Sequence, residues 1–145
     1  MDGFDRSSPV MKTLLSNIDI GLKPGENALL ESLSMLRSEL TILLKVYPVG
    51  STWRIHFGSV IGVKFLDERD MPEYWHANVE VTPPGNRCAV SRILQGGWSE
   101  QLWNESSRGE LFYGEVFEIL VGGADYCAVV LAQAMPKISE LPSSI

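Results

Sequence analysis

Frequent turn signals between short apolar segments constrain the fold of this chain more than any other feature of its sequence. Glycine and proline interrupt the chain at residues 48–51, 58, 83–85, 96–97 and 122–125. Short apolar or alternating runs that suit strands lie between these breaks, and few of the segments favour a helix. None of the apolar runs approaches the roughly 20 residues that cross a bilayer. The sequence therefore predicts a mainly β protein without a membrane span.

Alternation of apolar and polar residues gives the clearest single strand. Trp53, Ile55 and Phe57 alternate with polar residues, which is typical of a strand with one buried face. Gly58 then interrupts the pattern, as glycines do at bulges and bends. We expect residues 60–66 to follow as a second strand, or as the same strand after a bend.

Two hairpins are predicted, one in each half of the chain. In the first, strands over 30–36 and 40–47 flank a turn at 37–39, although leucines at helical spacing over 29–40 leave a helix as the alternative. In the second, residues 112–121 and 126–132 flank a glycine-rich turn. Residues 78–82 and 87–94 are further strand candidates, and residues 10–20 favour neither helix nor strand.

Many short strands joined by tight turns favour antiparallel pairing. We expect one antiparallel sheet, strongly bent or closed into a small barrel, since closing a sheet removes its exposed edges. We expect residues 1–9 to be a flexible N-terminus and residues 10–145 to form one domain.

An acidic segment follows the strand predicted at 60–66. Asp70, Pro72 and Glu73 form a start signal for a short helix over 71–77, because an Asp cap is followed by Pro in the first turn and by Glu three residues on. The alternatives are an acidic patch for a basic partner, or a metal or acid–base site. A calcium loop needs a glycine at its sharp turn, and this segment has none.

A polar segment with two tryptophans follows Gly96-Gly97. Trp98 and Trp103 either anchor this segment over the sheet or form a binding surface with the nearby Glu100 and Glu105.

Charge favours a basic partner over nucleic acid. The net charge is −6, from 18 acidic and 12 basic residues, and the basic residues are scattered. Such a chain repels polyphosphates and attracts basic proteins. The first nine residues lack the basic and apolar regions of a secretory signal, so we expect a cytoplasmic protein with reduced cysteines.

Residues with catalytic or metal-binding chemistry show no recognisable spacing. His56 and His76 do not form a His-x-x-x-His pair, and Cys88 and Cys127 do not form a Cys-x-x-Cys pair. Nucleotide-binding and nucleophile motifs are also missing. We therefore predict no catalytic residue, no cofactor and no metal site, and leave an enzyme or metal protein built from scattered residues as the third alternative.

The words WRIHFGSVIGVKFLDERDMPEYW, GGW and EVFEILVGGADYCAVVL resemble a broad set of small bacterial β-rich proteins, some of them immunity proteins that neutralise a toxin. LTILLKV, WRIHF and VIGVKFLDERD are also similar, at the level of the fold, to the Sm-like barrel. The chain lacks the Asp-x-x-Met-Asn word and the late Arg-Gly pair of that family.

We therefore expect a non-enzymatic protein-binding module, immunity-like or antitoxin-like, that masks a basic partner with acidic and aromatic surface. An Sm-like module that binds RNA is the second alternative, and a homo-oligomer is left open. The residues expected to contact the partner are Asp67, Glu68, Asp70, Trp98, Glu100, Trp103 and Glu105.

Overall fold

The computed structural model describes residues 14–18, 20, 22–23, 25–67, 78–79, 89–103, 114–122 and 126–142. The described residues form short strands and one helix of six residues. In chain order these are β1 (Leu14–Ile18), β2 (Asn27–Leu36), β3 (Glu39–Tyr47), β4 (Ser51–Phe57), β5 (Val60–Asp67), β6 (Asn78–Val79), β7 (Val90–Gln95), α1 (Trp98–Trp103), β8 (Phe117–Gly122), β9 (Tyr126–Ala132) and β10 (Lys137–Glu140).

The strands form two sheets. The six-stranded sheet has the order β5-β9-β8-β7-β1-β6, and the four-stranded sheet has the order β10-β4-β3-β2. All pairs are antiparallel except the short β1–β6 pair, which is parallel. Neither sheet closes on itself among the described strands. The mainly β, largely antiparallel prediction is confirmed, but the expected single bent sheet or small barrel is replaced by two open sheets.

The main core lies between the two sheets. Strand β3 shows why: its even-numbered residues from Leu40 to Val46 are buried, while its odd-numbered residues are half-buried or exposed. These side chains pack against apolar residues of β8 and β9, such as Ile119 and Val130. Each such side chain contributes about 1.5–3 kcal/mol when it is fully buried, so this layer accounts for most of the hydrophobic stabilisation.

The chain crosses from one sheet to the other at Gly58-Ser59, which separates β4 from β5. Backbone hydrogen bonds hold this corner: Val60 N–H donates to Ser38 O at 2.9 Å, and Gln133 N–H donates to Ser59 O at 2.9 Å. The bend predicted at Gly58 therefore exists, and it joins two sheets rather than two halves of one.

The six-stranded sheet also buries apolar residues on its other face. Leu15, Ile93, Leu120, Cys127 and Val129 form a second cluster there. Because β9 is buried on both faces, its sequence YCAVVLA is continuously apolar instead of alternating.

Both predicted hairpins are present. The first is β2 and β3, with Leu36 paired with Glu39, which excludes the alternative helix over 29–40. The second is β8 and β9, although β8 begins at Phe117 and not at residue 112. The candidates at 78–82 and 87–94 correspond to β6 and β7.

Strands β1 and β10 and helix α1 were not predicted. Helix α1 lies in the segment expected to be a polar excursion, and β1 resolves the ambiguity over 10–20. The predicted flexible N-terminus at 1–9 and the predicted helix at 71–77 lie outside the described residues.

Candidate partner-binding surface

A pair of exposed aromatic rings lies on the six-stranded sheet, where β5 pairs with β9. The rings of Phe65 and Tyr126 stack with centroids 5.3 Å apart and an angle of 18° between their planes. The two residues remain 49% and 43% exposed. Stacking is worth about 0.5–1.5 kcal/mol beyond the buried area, so each ring restricts the other while both keep a face toward solvent.

This aromatic pair is continuous with the main core. Strand alternation places Phe65 on the same face as Val63 and Tyr126 on the same face as Ala128, and both of these neighbours pack into the layer between the sheets. The pair therefore extends an ordered apolar layer out to the surface. The register also pairs Tyr126 with Asp67, the last residue of β5 and the first of the predicted acidic residues.

Trp98, another predicted contact, is half-buried on the opposite face of the six-stranded sheet. Its indole packs against the second core cluster and over Gly62, where an added Cβ would lie 3.1 Å from the ring. The Lys64 ammonium lies 5.0 Å from the centroid of the Trp98 ring, within cation–π distance. Much of this side chain therefore holds α1 against the sheet.

The buried carboxylate of Glu118 holds the start of α1. Glu118 is 3% exposed, and it accepts hydrogen bonds from Trp98 N–H at 2.7 Å and Ser99 N–H at 2.9 Å. These are two of the backbone donors that a helix leaves without an internal partner at its N-terminus. A charged acceptor is favourable there because the helix dipole places partial positive charge at the same end.

Glu100, another predicted contact, accepts a hydrogen bond from Gly96 N–H. Its carboxylate therefore closes the turn that leads into α1. A cavity of about 120 Å³ lies beside this turn, lined by Glu100 and Glu118 together with Arg92 of β7. The Arg92 guanidinium also lies 4.5 Å from the ring centroid of Phe117. Because both carboxylates bind backbone N–H groups, they serve the local fold.

The outer face of the four-stranded sheet carries a small polar network. His56 Nε2 lies 3.1 Å from Glu39 Oε1, and His56 Nδ1 lies 3.0 Å from Thr41 Oγ1. Thr41 and His56 face each other across β3 and β4, so the network follows from the strand register. This network gives both ring nitrogens of His56, a polar residue of the alternating strand β4, a hydrogen-bond partner.

Other chemistry-bearing residues are placed as follows. Cys127 is a fully buried cysteine in β9. Within the described ranges, no group of three or more histidine, cysteine, aspartate or glutamate side chains is placed to share a metal ion. His76 and Cys88 lie outside those ranges.

The predicted contact residues are only partly described. Asp67 ends β5, and Trp98, Glu100 and Trp103 belong to α1. The structure therefore does not bring Trp98 onto the face that bears Phe65 and Tyr126. The predicted contacts outside the described residues are Glu68, Asp70 and Glu105.

Sequence reasoning missed Phe65 and Tyr126 as a surface pair. Both lie in segments correctly predicted to be strands, but the residues are 61 positions apart, and neither segment shows the other as its partner. The only signal in the sequence was that each aromatic residue lies near the end of a predicted strand. Aromatic residues are common in buried strands as well, so this position did not indicate a surface pair.

None of the helices in the described part of the chain has the length and hydropathy that a membrane span requires. Comparison of the chain with protein-family models, with curated proteins and with solved structures finds no match.

Proposed function

We propose that this chain is a non-enzymatic protein-binding module that masks a basic partner, as an immunity protein or antitoxin masks a toxin. The exposed stacked pair of Phe65 and Tyr126, in register with the acidic end of β5, carries the proposal. The partner would be met in the bacterial cytoplasm, where the buried Cys127 stays reduced.

Stacked aromatics suit the centre of an interface. Tyrosine is enriched among the residues that dominate binding energy, and aromatic residues in general are enriched at interfaces. Because Phe65 and Tyr126 already restrict each other, little side-chain entropy remains to be lost when a partner covers them. An aliphatic or aromatic side chain of the partner would complete the layer that the pair extends.

The acidic residues would set the partner's charge. Asp67 begins the segment 67–73, which holds four carboxylates, and the whole chain carries a net charge of −6. Such a surface speeds the encounter with a basic protein and slows it with an acidic one. We therefore expect an association rate that falls steeply with salt and a dissociation rate set mainly by the aromatic pair.

Affinity capture tests this proposal. The purified chain is used as bait against an extract of the cells that make it, and bound protein and RNA are both identified. We expect one stoichiometric basic protein, lost from the double variant Phe65→Ser/Tyr126→Ser. The matched control is Tyr47→Ser, because Tyr47 is also 43% exposed but belongs to the four-stranded sheet.

Two results would contradict the proposal. Equal capture by wild type and by the double variant would show that the aromatic pair is not part of the interface. Capture of an acidic protein whose binding strengthens with salt would contradict the inference that the partner is basic.

RNA binding is the second candidate, because one face of the four-stranded sheet is locally basic. On the outer face, Arg54 is a diagonal neighbour of both Lys45 and Lys137. Among the described residues, no carboxylate forms a salt bridge with these three cations. Salt-sensitive RNA capture that is lost on Arg54→Glu and kept by the aromatic double variant would favour this candidate.

A further inference from the structure

The outer edge of β2 is open among the described strands. Strand β2 pairs with β3 along one edge, and none of the described strands pairs with the other. Exposed strand edges usually carry lysine or proline, which discourage pairing with another chain. The β2 sequence NALLESLSML contains neither, and its protection is limited to Glu31, a charged residue at the point where the register with β3 shifts.

The hairpin geometry identifies which backbone groups face this edge. Leu36 and Glu39 close a two-residue turn. The closing pair of such a turn exchanges backbone hydrogen bonds, and these bonded positions alternate along the strand. Ser34 therefore directs its N–H and C=O toward β3, whereas Leu33 and Met35 direct theirs toward the open edge.

The side chains at this edge are also incompletely covered. Met35 is 45% exposed and Leu36 is 74% exposed. Strand register places Leu33 opposite Ile42 and Met35 opposite Leu40, on the face that packs against the other sheet. The apolar layer between the sheets therefore reaches the open edge and stops there half-covered.

We propose that the open edge of β2 binds the same edge of a second copy of this chain, antiparallel, about a two-fold axis at Ser34. This register pairs Leu33 with Met35 of the second copy, and so joins the two residues whose backbone groups face the edge. Each copy's Met35 then lies beside the other's Leu33, which continues the apolar layer across the axis.

Charge favours the same register. With the axis at Ser34, the irregularity at Glu31 lies near the turn residue Arg37 of the second copy, so the only carboxylate of β2 faces the end of the strand that carries a guanidinium. An axis at Glu31 would instead place two carboxylates face to face, which is unfavourable. The proposed dimer joins two four-stranded sheets into one sheet of eight strands, and it does not depend on the proposed function.

Backbone chemistry provides the first test. Met35→Pro removes an N–H that points toward solvent in the single chain, which an edge strand tolerates, but by symmetry it removes two hydrogen bonds from the dimer. Met35→Val keeps the N–H and is the matched control. Sedimentation equilibrium should give twice 16.1 kDa for wild type and Met35→Val, and 16.1 kDa for a folded Met35→Pro.

A cross-link tests the register independently of folding defects. Residues at a non-hydrogen-bonded antiparallel pair have Cα atoms about 4.5 Å apart, within the range that disulfides span. Ser34→Cys should therefore form a linked dimer in mild oxidant. Ser139→Cys, exposed on the opposite edge strand β10, should not.

A wild-type chain that stays at 16.1 kDa up to millimolar concentration would overturn the proposal. So would a dimer that survives in Met35→Pro, or a Ser34→Cys chain that links no better than Ser139→Cys.

Discussion

Removing the Glu118 carboxylate should destabilise the whole chain, although Glu118 belongs to neither hydrophobic core cluster. In Glu118→Ala, the N–H groups of Trp98 and Ser99 lose their shared acceptor. Glu118 is 3% exposed, so water reaches this position poorly in the folded state. The substitution therefore leaves two part-buried donors without their acceptor at the start of α1.

The size of the effect follows from those two bonds. An unsatisfied buried donor costs about 1–3 kcal/mol. Two donors would cost about 2–6 kcal/mol, and release of the buried charge offsets part of that loss. We expect Glu118→Ala to lower the free energy of unfolding by about 2–4 kcal/mol. Glu118→Gln keeps one acceptor oxygen but turns an amide N–H₂ toward the second donor, so it should lose about 1–2 kcal/mol.

Urea denaturation followed by circular dichroism measures this loss, with Glu115→Ala as the control. Glu115 is exposed three residues earlier in the chain, and removal of its carboxylate should change stability by less than about 0.5 kcal/mol. The reasoning is refuted if Glu118→Ala unfolds within about 0.5 kcal/mol of wild type, because the two N–H groups would then have another acceptor.

Three further changes test other parts of the fold. Ile42→Ala should cost about 2–5 kcal/mol in urea denaturation because the side chain is fully buried, whereas Leu36→Ala, at 74% exposure, should cost less than about 0.5 kcal/mol. Arg37→Gly should raise the free energy of unfolding by up to about 1 kcal/mol. Arg37 has a backbone φ of 56°, and residues other than glycine adopt positive φ values at an energetic cost. Gly62→Val should push the Trp98 ring off β5, because even a Cβ would lie 3.1 Å from it, and this should appear as a red shift of tryptophan fluorescence.

The hairpins could be predicted from sequence because their information is local. Alternation in β3 and the turn at Arg37-Ser38 lie within a few residues of one another, so pattern and turn chemistry agree. The same holds for β8 and β9 around their glycine-rich turn. Strand β10 was missed because KISE is short and mostly exposed, and pairing with β4 defines it better than its own pattern does.

The division into two sheets could not be read from the sequence because it depends on distant pairings. Gly58 correctly signalled a bend, but a bend within one sheet and a crossing between two sheets have the same local signature. The choice is made where β5 pairs with β9, more than 50 residues later in the chain. For the same reason the aromatic pair, which depends on that register, was not predicted. Asp67, at the end of β5, was predicted as a partner contact from the local sequence alone.

Helix α1 shows a different limit. The segment WSEQLW has no strong helix signal, and it is held by Glu118, which comes from a strand that follows it in the chain. The sequence predicts a turn at the two glycines before it, and the chain bends there. Gly97 has a second role, because a Cβ there would contact Glu118 Oε2 and lie 2.7 Å from Ile93 Cγ2. Only the folded chain shows that this glycine makes room for the acceptor.

The two proposed surfaces belong to different sheets, and their combination has a measurable consequence. A dimer through β2 would present two copies of the Phe65–Tyr126 pair to a partner fixed on a surface, where a second contact forms at high effective concentration. Met35→Pro should then weaken apparent affinity for immobilised partner about tenfold or more, while affinity for partner free in solution stays unchanged. Phe65→Ser/Tyr126→Ser should weaken both. If Met35→Pro weakens the affinities for immobilised and for free partner equally, the β2 edge contacts the partner itself. The exposed edge of β2 would then be a partner-binding site and not a dimer interface.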